Sequence, residues 1–119
     1  MLISASDPVA AALGSALDGL ALRQRVIANN IANMDTPGFI ASEVDFEGSL
    51  TAAIADGTMT EGDAAPTVTP SLRTPGANGN NVDLATETMA AMQSTFRYQL
   101  LSRAVGDRAA LVTTAIGGM

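Results

Sequence analysis

The chain has 119 residues, with twelve carboxylates against six cations and a net charge of −6; every cation is an arginine, and histidine, cysteine and lysine are absent. That inventory excludes disulfides, thiol chemistry and imidazole-held metals, and it lacks the clustered cations that nucleic acid requires. Hydrophobic residues make up 47% but aromatics only 3%, so much of the apolar content is alanine, and such a chain completes its burial against a partner.

The charge is uneven. Residues 35–81 carry seven acids and only Arg73, whereas residues 7–34 and 82–119 each sum to zero. Neutral ends and an acidic middle predict packed ends and a solvated insertion. No stretch of about 18 apolar residues exists, so no membrane span is expected. The opening residues, Met1 to Asp7, lack a basic segment and run into Pro8, so no cleaved signal peptide is expected.

The first helix should start with Asp7 as N-cap and Pro8 at the first helical position, where a missing N–H costs nothing. Ala10, Leu13, Leu17, Leu20, Gln24, Ile27, Ile31 and Met34 then recur in steps of three and four, a heptad seam with one polar member. Gln24 is either a surface residue at a drifting heptad or a polar seam residue that sets alignment. Gly14 and Gly19 weaken the helix by up to ~1 kcal/mol each but allow another backbone to approach closely. The helix should end near Met34 or Asp35, because Thr36 precedes Pro37. Thr36-Pro37-Gly38-Phe39 reads as a type II turn, with Gly38 supplying the positive φ.

In the middle, Phe46, Leu50 and Ile54 lie four apart and predict a short helix over 45–55, ended by Gly57. Residues 57–81 are rich in Gly, Pro, Thr and Asn and read as an extended loop with a short strand around Thr67–Arg73. Glu43, Asp45 and Glu47 are spaced like a carboxylate cluster, but the calcium-loop pattern is missing, so a solvated acidic loop is expected and no metal. Gly76-Ala77-Asn78-Gly79 imitates a phosphate loop without its lysine.

The last helix should begin after Asp83 as N-cap and run to Ile116, stopped by Gly117-Gly118. It carries two apolar stripes. One is Met89, Met92, Phe96, Leu100, Ala104 and Leu111; the other is Leu101, Val105, Val112 and Ile116, edged by Tyr98 and Arg108. A helix wet on one side needs only one stripe, so two imply contacts on two sides. The Met89–Met92 pair is either plain core or an adaptable partner surface.

Catalytic residues are not found. Without His, Cys or Lys an enzyme would rest on carboxylates, hydroxyls, Tyr98 or arginine, and nothing brings these together. No cofactor and no small-molecule substrate are expected. The distinctive segment is Ala28-Asn29-Asn30-Ile31-Ala32-Asn33. Three asparagines in five helical residues are not chosen for propensity, and Asn29 and Asn33 lie one turn apart. Either they cap carbonyls of a frayed helix end, or their amides bond a neighbouring helix or subunit and fix register.

Ala-Asn-Asn-Ile-Ala-Asn, two residues, then Thr36-Pro37-Gly38-Phe39 closely resembles the N-terminal signature of bacterial flagellar rod and hook axial proteins. Ala41-Ser42-Glu43-Val44-Asp45-Phe46 looks like the segment typical of the FlgB-type proximal-rod family. Asn80-Asn81-Val82-Asp83-Leu84, Glu87 and Phe96-Arg97-Tyr98-Gln99 match that family's pattern before and within its last helix. Met34-Asp35 stands where small or polar residues are common, and Phe39 replaces the commoner Tyr. The resemblance implies a non-enzymatic subunit of the periplasmic rod in the flagellar basal body. Such subunits are exported unfolded through the flagellar type III apparatus and polymerise through their terminal helices into the drive shaft. Implied partners are copies of itself, other rod proteins, and the MS ring with its adapter protein.

The resulting expectation is an all-α chain whose long terminal helices pack as an antiparallel coiled-coil-like pair bridged by a loop-rich insertion. Its parts are an N-terminal helix (1–35), the acidic insertion (36–81) and a C-terminal helix (82–119). The assembly seam is placed on Leu13, Leu17, Leu20, Gln24, Ile27 and Ile31 of the first helix and Met89, Met92, Phe96, Leu100 and Leu111 of the last. The family motif is Asn29, Asn30, Asn33, Thr36, Pro37, Gly38 and Phe39. Alternatives are another axial rod protein, a small helical secretion chaperone or adapter, and a membrane-surface helix, the last disfavoured by only two arginines on the first helix.

Overall fold

The computed structural model describes residues 8–56 and 65–117. The expected roles of Asp7, Gly57 and Gly118, and the loop over 57–64, lie outside the described residues. In chain order the elements are α1 (Pro8–Ala32), β1 (Ser42–Asp45), α2 (Glu47–Asp56), β2 (Thr67–Pro70) and α3 (Leu84–Gly117). The molecule is elongated, 66 × 26 × 17 Å. That length follows from α3, whose 34 residues span about 51 Å at 1.5 Å per residue.

The expectation of an all-α chain is corrected by a two-stranded sheet. β1 and β2 pair antiparallel, with Val44 opposite Val68 and Ser42 opposite Pro70. In Ser42-Glu43-Val44-Asp45 the single apolar side chain, Val44, turns inward while Glu43 and Asp45 face water. Thr67, Val68 and Thr69 are β-branched and suit a pleated surface. The strand expected around 67–73 is therefore present over Thr67–Pro70; its partner falls within the acidic stretch read as loop. The ladder continues one step further, the Ser71 N–H donating to the Ala41 carbonyl at 2.8 Å.

α1 ends at Ala32, slightly before the expected Met34 or Asp35. Its last turn tightens: the Asn33 N–H is shared between the Asn29 and Asn30 carbonyls, and the Met34 N–H reaches Ile31. Such i→i+3 closure satisfies carbonyls that a helix end otherwise leaves free. The type II turn follows as expected. Gly38 has φ +74°, and the Phe39 N–H closes on the Thr36 carbonyl at 3.2 Å. α3 opens on its N-cap, with Asp83 Oδ1 accepting the Ala85 N–H at 3.1 Å and Oδ2 the Thr86 hydroxyl at 2.8 Å. The Thr86 hydrogen bond, aided by the Ala85 amide, holds the Asp83 carboxyl below its ordinary range.

The core sits where α1, β1 and the start of α2 meet. Ala16, Leu20, Val44 and Phe46 are buried together, with Leu22, Val26, Leu50 and Leu101 packed against them. Phe46 explains Gly19. A Cβ on Gly19 would lie inside the Phe46 ring, so this glycine admits an aromatic side chain rather than the backbone expected. Gly14 faces open space. The short helix begins at Glu47, later than 45, and Phe46 is left as a buried plug before its first turn.

α3 lies along α1 in the opposite sense, from Asn30 beside Glu87 to Gln24 beside Thr95, and the Ser94 hydroxyl reaches the Leu20 carbonyl. The α3 residues nearest α1 are small or modest, with Ser94 buried and Ala90, Ala91, Leu101 and Val105 partly so. Ile116, placed on the same stripe as Leu101 and Val105, is exposed. The other stripe points away. Among the described residues, no helix is long and apolar enough to cross a membrane.

Candidate functional site

Four asparagines form the junction between the helices and the insertion. Asn30 is 1% exposed. Its amide nitrogen donates to the Ser42 carbonyl at 2.8 Å and to Glu87 Oε2 at 3.2 Å, while its Oδ1 accepts the Ser42 N–H at 3.0 Å. One side chain thus pins the first residue of β1 to α1 and reaches α3. Asn80 Nδ2 donates to the carbonyls of Asn33 and Thr36 at 2.9 and 2.8 Å, and its Oδ1 accepts the Val82 N–H. Those two carbonyls lie at the frayed end of α1, so Asn80 closes it. Asn81 Oδ1 accepts the Ala41 N–H at 2.7 Å, and its nitrogen donates to the Ser71 and Arg73 carbonyls. Asn78 contributes its backbone carbonyl to the Gly38 N–H at 2.9 Å. Buried polar side chains with this many partners fix one arrangement and penalise others.

Glu87 is the charged member, 4% exposed. Arg73 Nη2 donates to its Oε1 at 2.7 Å while Asn30 serves Oε2. A buried carboxylate is tolerated only when paired and hydrogen-bonded, and here the partners come from α1 and the insertion. Arg73 is braced by the Ser71 hydroxyl, though its Nη1 is buried without a hydrogen-bond partner. A cleft of about 290 Å³ opens beside the pair, lined by Ile27, Ser42, Val44, Arg73, Thr86 and Glu87 among others.

A second ion pair fixes α2. Both guanidinium nitrogens of Arg23 donate to the Glu47 carboxylate, and Nη2 also serves the Val44 carbonyl at 2.6 Å. The guanidinium lies 4.9 Å from the centroid of the Phe46 ring, a cation–π stack. The Arg23 hydrogen bond lowers the Glu47 carboxyl from 4.5 to about 2, against a partly opposing desolvation. The expected acidic cluster is divided accordingly: Glu43 and Asp45 face solvent and Glu47 turns back to α1.

Of the family-motif residues, Asn30 is buried, Asn33 and Phe39 are partly buried, and Asn29, Thr36, Pro37 and Gly38 are exposed. Asn33 bonds the Asn29 carbonyl at 2.8 Å, the local capping alternative, whereas Asn30 takes the other alternative and bonds a neighbouring helix. Asn80, Asn81, Glu87 and Arg73 had no structural role assigned from sequence; the Asn80-Asn81 pair just before a helix was the available signal. On the proposed seam, Leu20 and Ile27 are buried within the chain, and Leu13, Leu17, Gln24 and Ile31 are partly buried. Met89, Met92, Phe96, Leu100 and Leu111 are 50–71% exposed. Met89 and Met92 are therefore not core of the single chain.

A family model described as "Flagella basal body rod protein" matches residues 12–39, from within α1 to the end of the turn. The flagellar basal body rod protein FlgB of Bacillus subtilis (strain 168) is 35% identical over 118 residues, covering 89% of this chain and 92% of that protein. The FlgB of Borreliella burgdorferi is 34% identical over 106 residues, covering 72% and 78%. That of Salmonella typhimurium (strain LT2) is 30% identical over 112 residues, covering 78% and 81%. A chain of two long helices with an asparagine-locked junction and this match is a structural protein of the flagellar basal-body rod. Within that class, the chain belongs to the FlgB family. Its place is the rod of the basal body, where it assembles with other flagellar components.

Proposed function

We propose that the chain is a proximal-rod subunit that polymerises through its terminal helices into the drive shaft, with α1 and α3 acting as an antiparallel coiled-coil-like pair. The single observation behind this reading is the outward stripe of α3. Met89, Met92, Phe96, Leu100 and Leu111 stand 50–71% exposed on a helix whose other side already packs on α1. A contiguous apolar face of this kind marks an interaction site, and methionine adapts to more than one neighbour. In this reading the chain divides into an N-terminal rod segment (1–35), an acidic insertion (36–81) and a C-terminal rod segment (82–119). Its neighbours are copies of itself, other rod proteins and the MS ring with its adapter, reached by export in an unfolded state through the type III apparatus. It works without catalysis.

The absence of cysteine makes the test direct. The thiol of a Met92→Cys variant should be protected from a bulky maleimide in isolated basal bodies and fully reactive in the secreted monomer. A thiol at residue 92 that stays fully reactive to a bulky maleimide inside intact basal bodies would sink the proposal.

A further inference from the structure

We propose that Asn78–Gly79 is a self-modification site, which loses ammonia when the turn is unfolded and is protected while the turn is closed. Of the chain's asparagines, only Asn78 precedes glycine, whose missing side chain leaves its backbone nitrogen unshielded. In the reaction the Gly79 nitrogen attacks Asn78 Cγ. The N–Cγ bond forms, the Cγ–Nδ2 bond breaks, and ammonia departs with the Gly79 amide proton. Water then opens the resulting five-membered imide at either carbonyl. One opening gives aspartate; the other gives isoaspartate, in which the main chain runs through Cβ. No oxidant or reductant is needed.

The closed turn holds both reacting groups. The Gly79 N–H donates to the Gly76 carbonyl at 2.9 Å, and Asn78 Oδ1 accepts the Asn80 N–H at 3.1 Å. The Asn78 carbonyl is meanwhile held by the Gly38 N–H at 2.9 Å. Attack requires the carboxamide to swing free and the Gly79 nitrogen to give up its bonded proton, so the side chain is exposed yet not free to react. The same geometry explains why a labile pair stands here. Gly79 has φ +80°, and a Cβ on it would lie 3.2 Å from Gly38 Cα, while Asn78 supplies the oxygen that orders Asn80. Isoaspartate at this place would lengthen the main chain and misplace both Asn78 oxygens. Asn80 would then lose its alignment on the Asn33 and Thr36 carbonyls. The site thus records the time a subunit has spent unfolded and disables those that wait too long, whatever the molecule's neighbours are.

The test incubates the full chain in mildly alkaline buffer with and without urea, followed by tryptic peptide mapping. The peptide over 74–97 carries Asn78, Asn80 and Asn81, so the last two serve as internal references. In urea, exchange of NH for O should accumulate at Asn78, with isoaspartate detected by enzymatic methylation. In buffer the same conversion should be at least about tenfold slower, since only locally opened molecules react. Asn80→Ala, which loosens the turn without touching the reactive pair, should raise the rate in buffer toward that in urea. Equal rates in the two solvents, conversion at Asn80 or Asn81 as fast as at Asn78, or an unchanged rate in Asn80→Ala would overturn the proposal.

Discussion

Asn30 and Ser42 exchange two hydrogen bonds, side chain to backbone, at 2.8 and 3.0 Å. The asparagine carboxamide mimics a neighbouring peptide group, so β1 is bonded to a helix on one side and to β2 on the other. The exchange accounts for Ser42 as the first residue of the strand. Replacing Asn30 by Ala removes both bonds and one ligand of buried Glu87, leaving backbone groups unsatisfied; a loss of about 2–4 kcal/mol is expected. Asn29→Ala, at an exposed position, should stay within ~0.5 kcal/mol. Urea denaturation of the two variants distinguishes them, and equal midpoints would refute the assignment.

Two glycines of α1 should respond with opposite sign. Gly19→Ala puts a methyl where the Phe46 ring sits, so the ring must leave the core, at a cost of roughly 1–3 kcal/mol or more. Gly14→Ala meets nothing within 4 Å and should stabilise the helix by about 0.5–1 kcal/mol. Thermal melts followed by circular dichroism report both. A stabilised Gly19→Ala would show that Phe46 does not occupy that slot.

The turn glycines differ in kind. At Gly38, with φ +74° and free space for a Cβ, Gly38→Ala should cost about 1–2 kcal/mol for conformation alone. Gly79→Ala adds a steric term, because its Cβ would press on Gly38 Cα. Motility on soft agar, with secreted subunit measured in parallel, should rank Gly79→Ala as the more damaging. The reverse order would mean that the approach of these two turns is not what limits assembly.

Acid should release α2 through Glu47. Its folded carboxyl titrates at about 2, lowered from 4.5 by the Arg23 hydrogen bond. A lowered folded value means that the stabilisation is complete above 4.5 and disappears as pH falls toward 2. Partial exposure of the carboxylate keeps the effect modest. Arg23→Met should return the Glu47 titration, followed by carboxyl NMR, to the ordinary glutamate range. A midpoint still near 2 in that variant would assign the shift to another cause.

What the sequence determined by itself were the features encoded by local chemistry and by period. Pro8, the three-four spacing from Ala10 onward and Asp83 mark two long helices, and Pro37-Gly38 dictates a turn whose positive φ appears at the expected residue. The asparagine segment announced a special helix end and, by resemblance, a rod family. Tertiary structure decided which asparagine mattered, because burial depends on the 12-residue return of the chain that brings Ser42 beside Asn30. It also decided the sheet. Ser-Glu-Val-Asp is too short and too acidic to signal a strand until Thr67–Pro70 lies against it and Val44 finds Leu20 and Phe46. Gly19 was read as room for a backbone, and only packing could show an aromatic ring there. The two stripes of α3 were visible as a pattern, yet which one faces α1 was not. Small residues at Ala90, Ala91 and Ser94 let the helices approach on that side, and the bulkier methionines and phenylalanine are left to the outside.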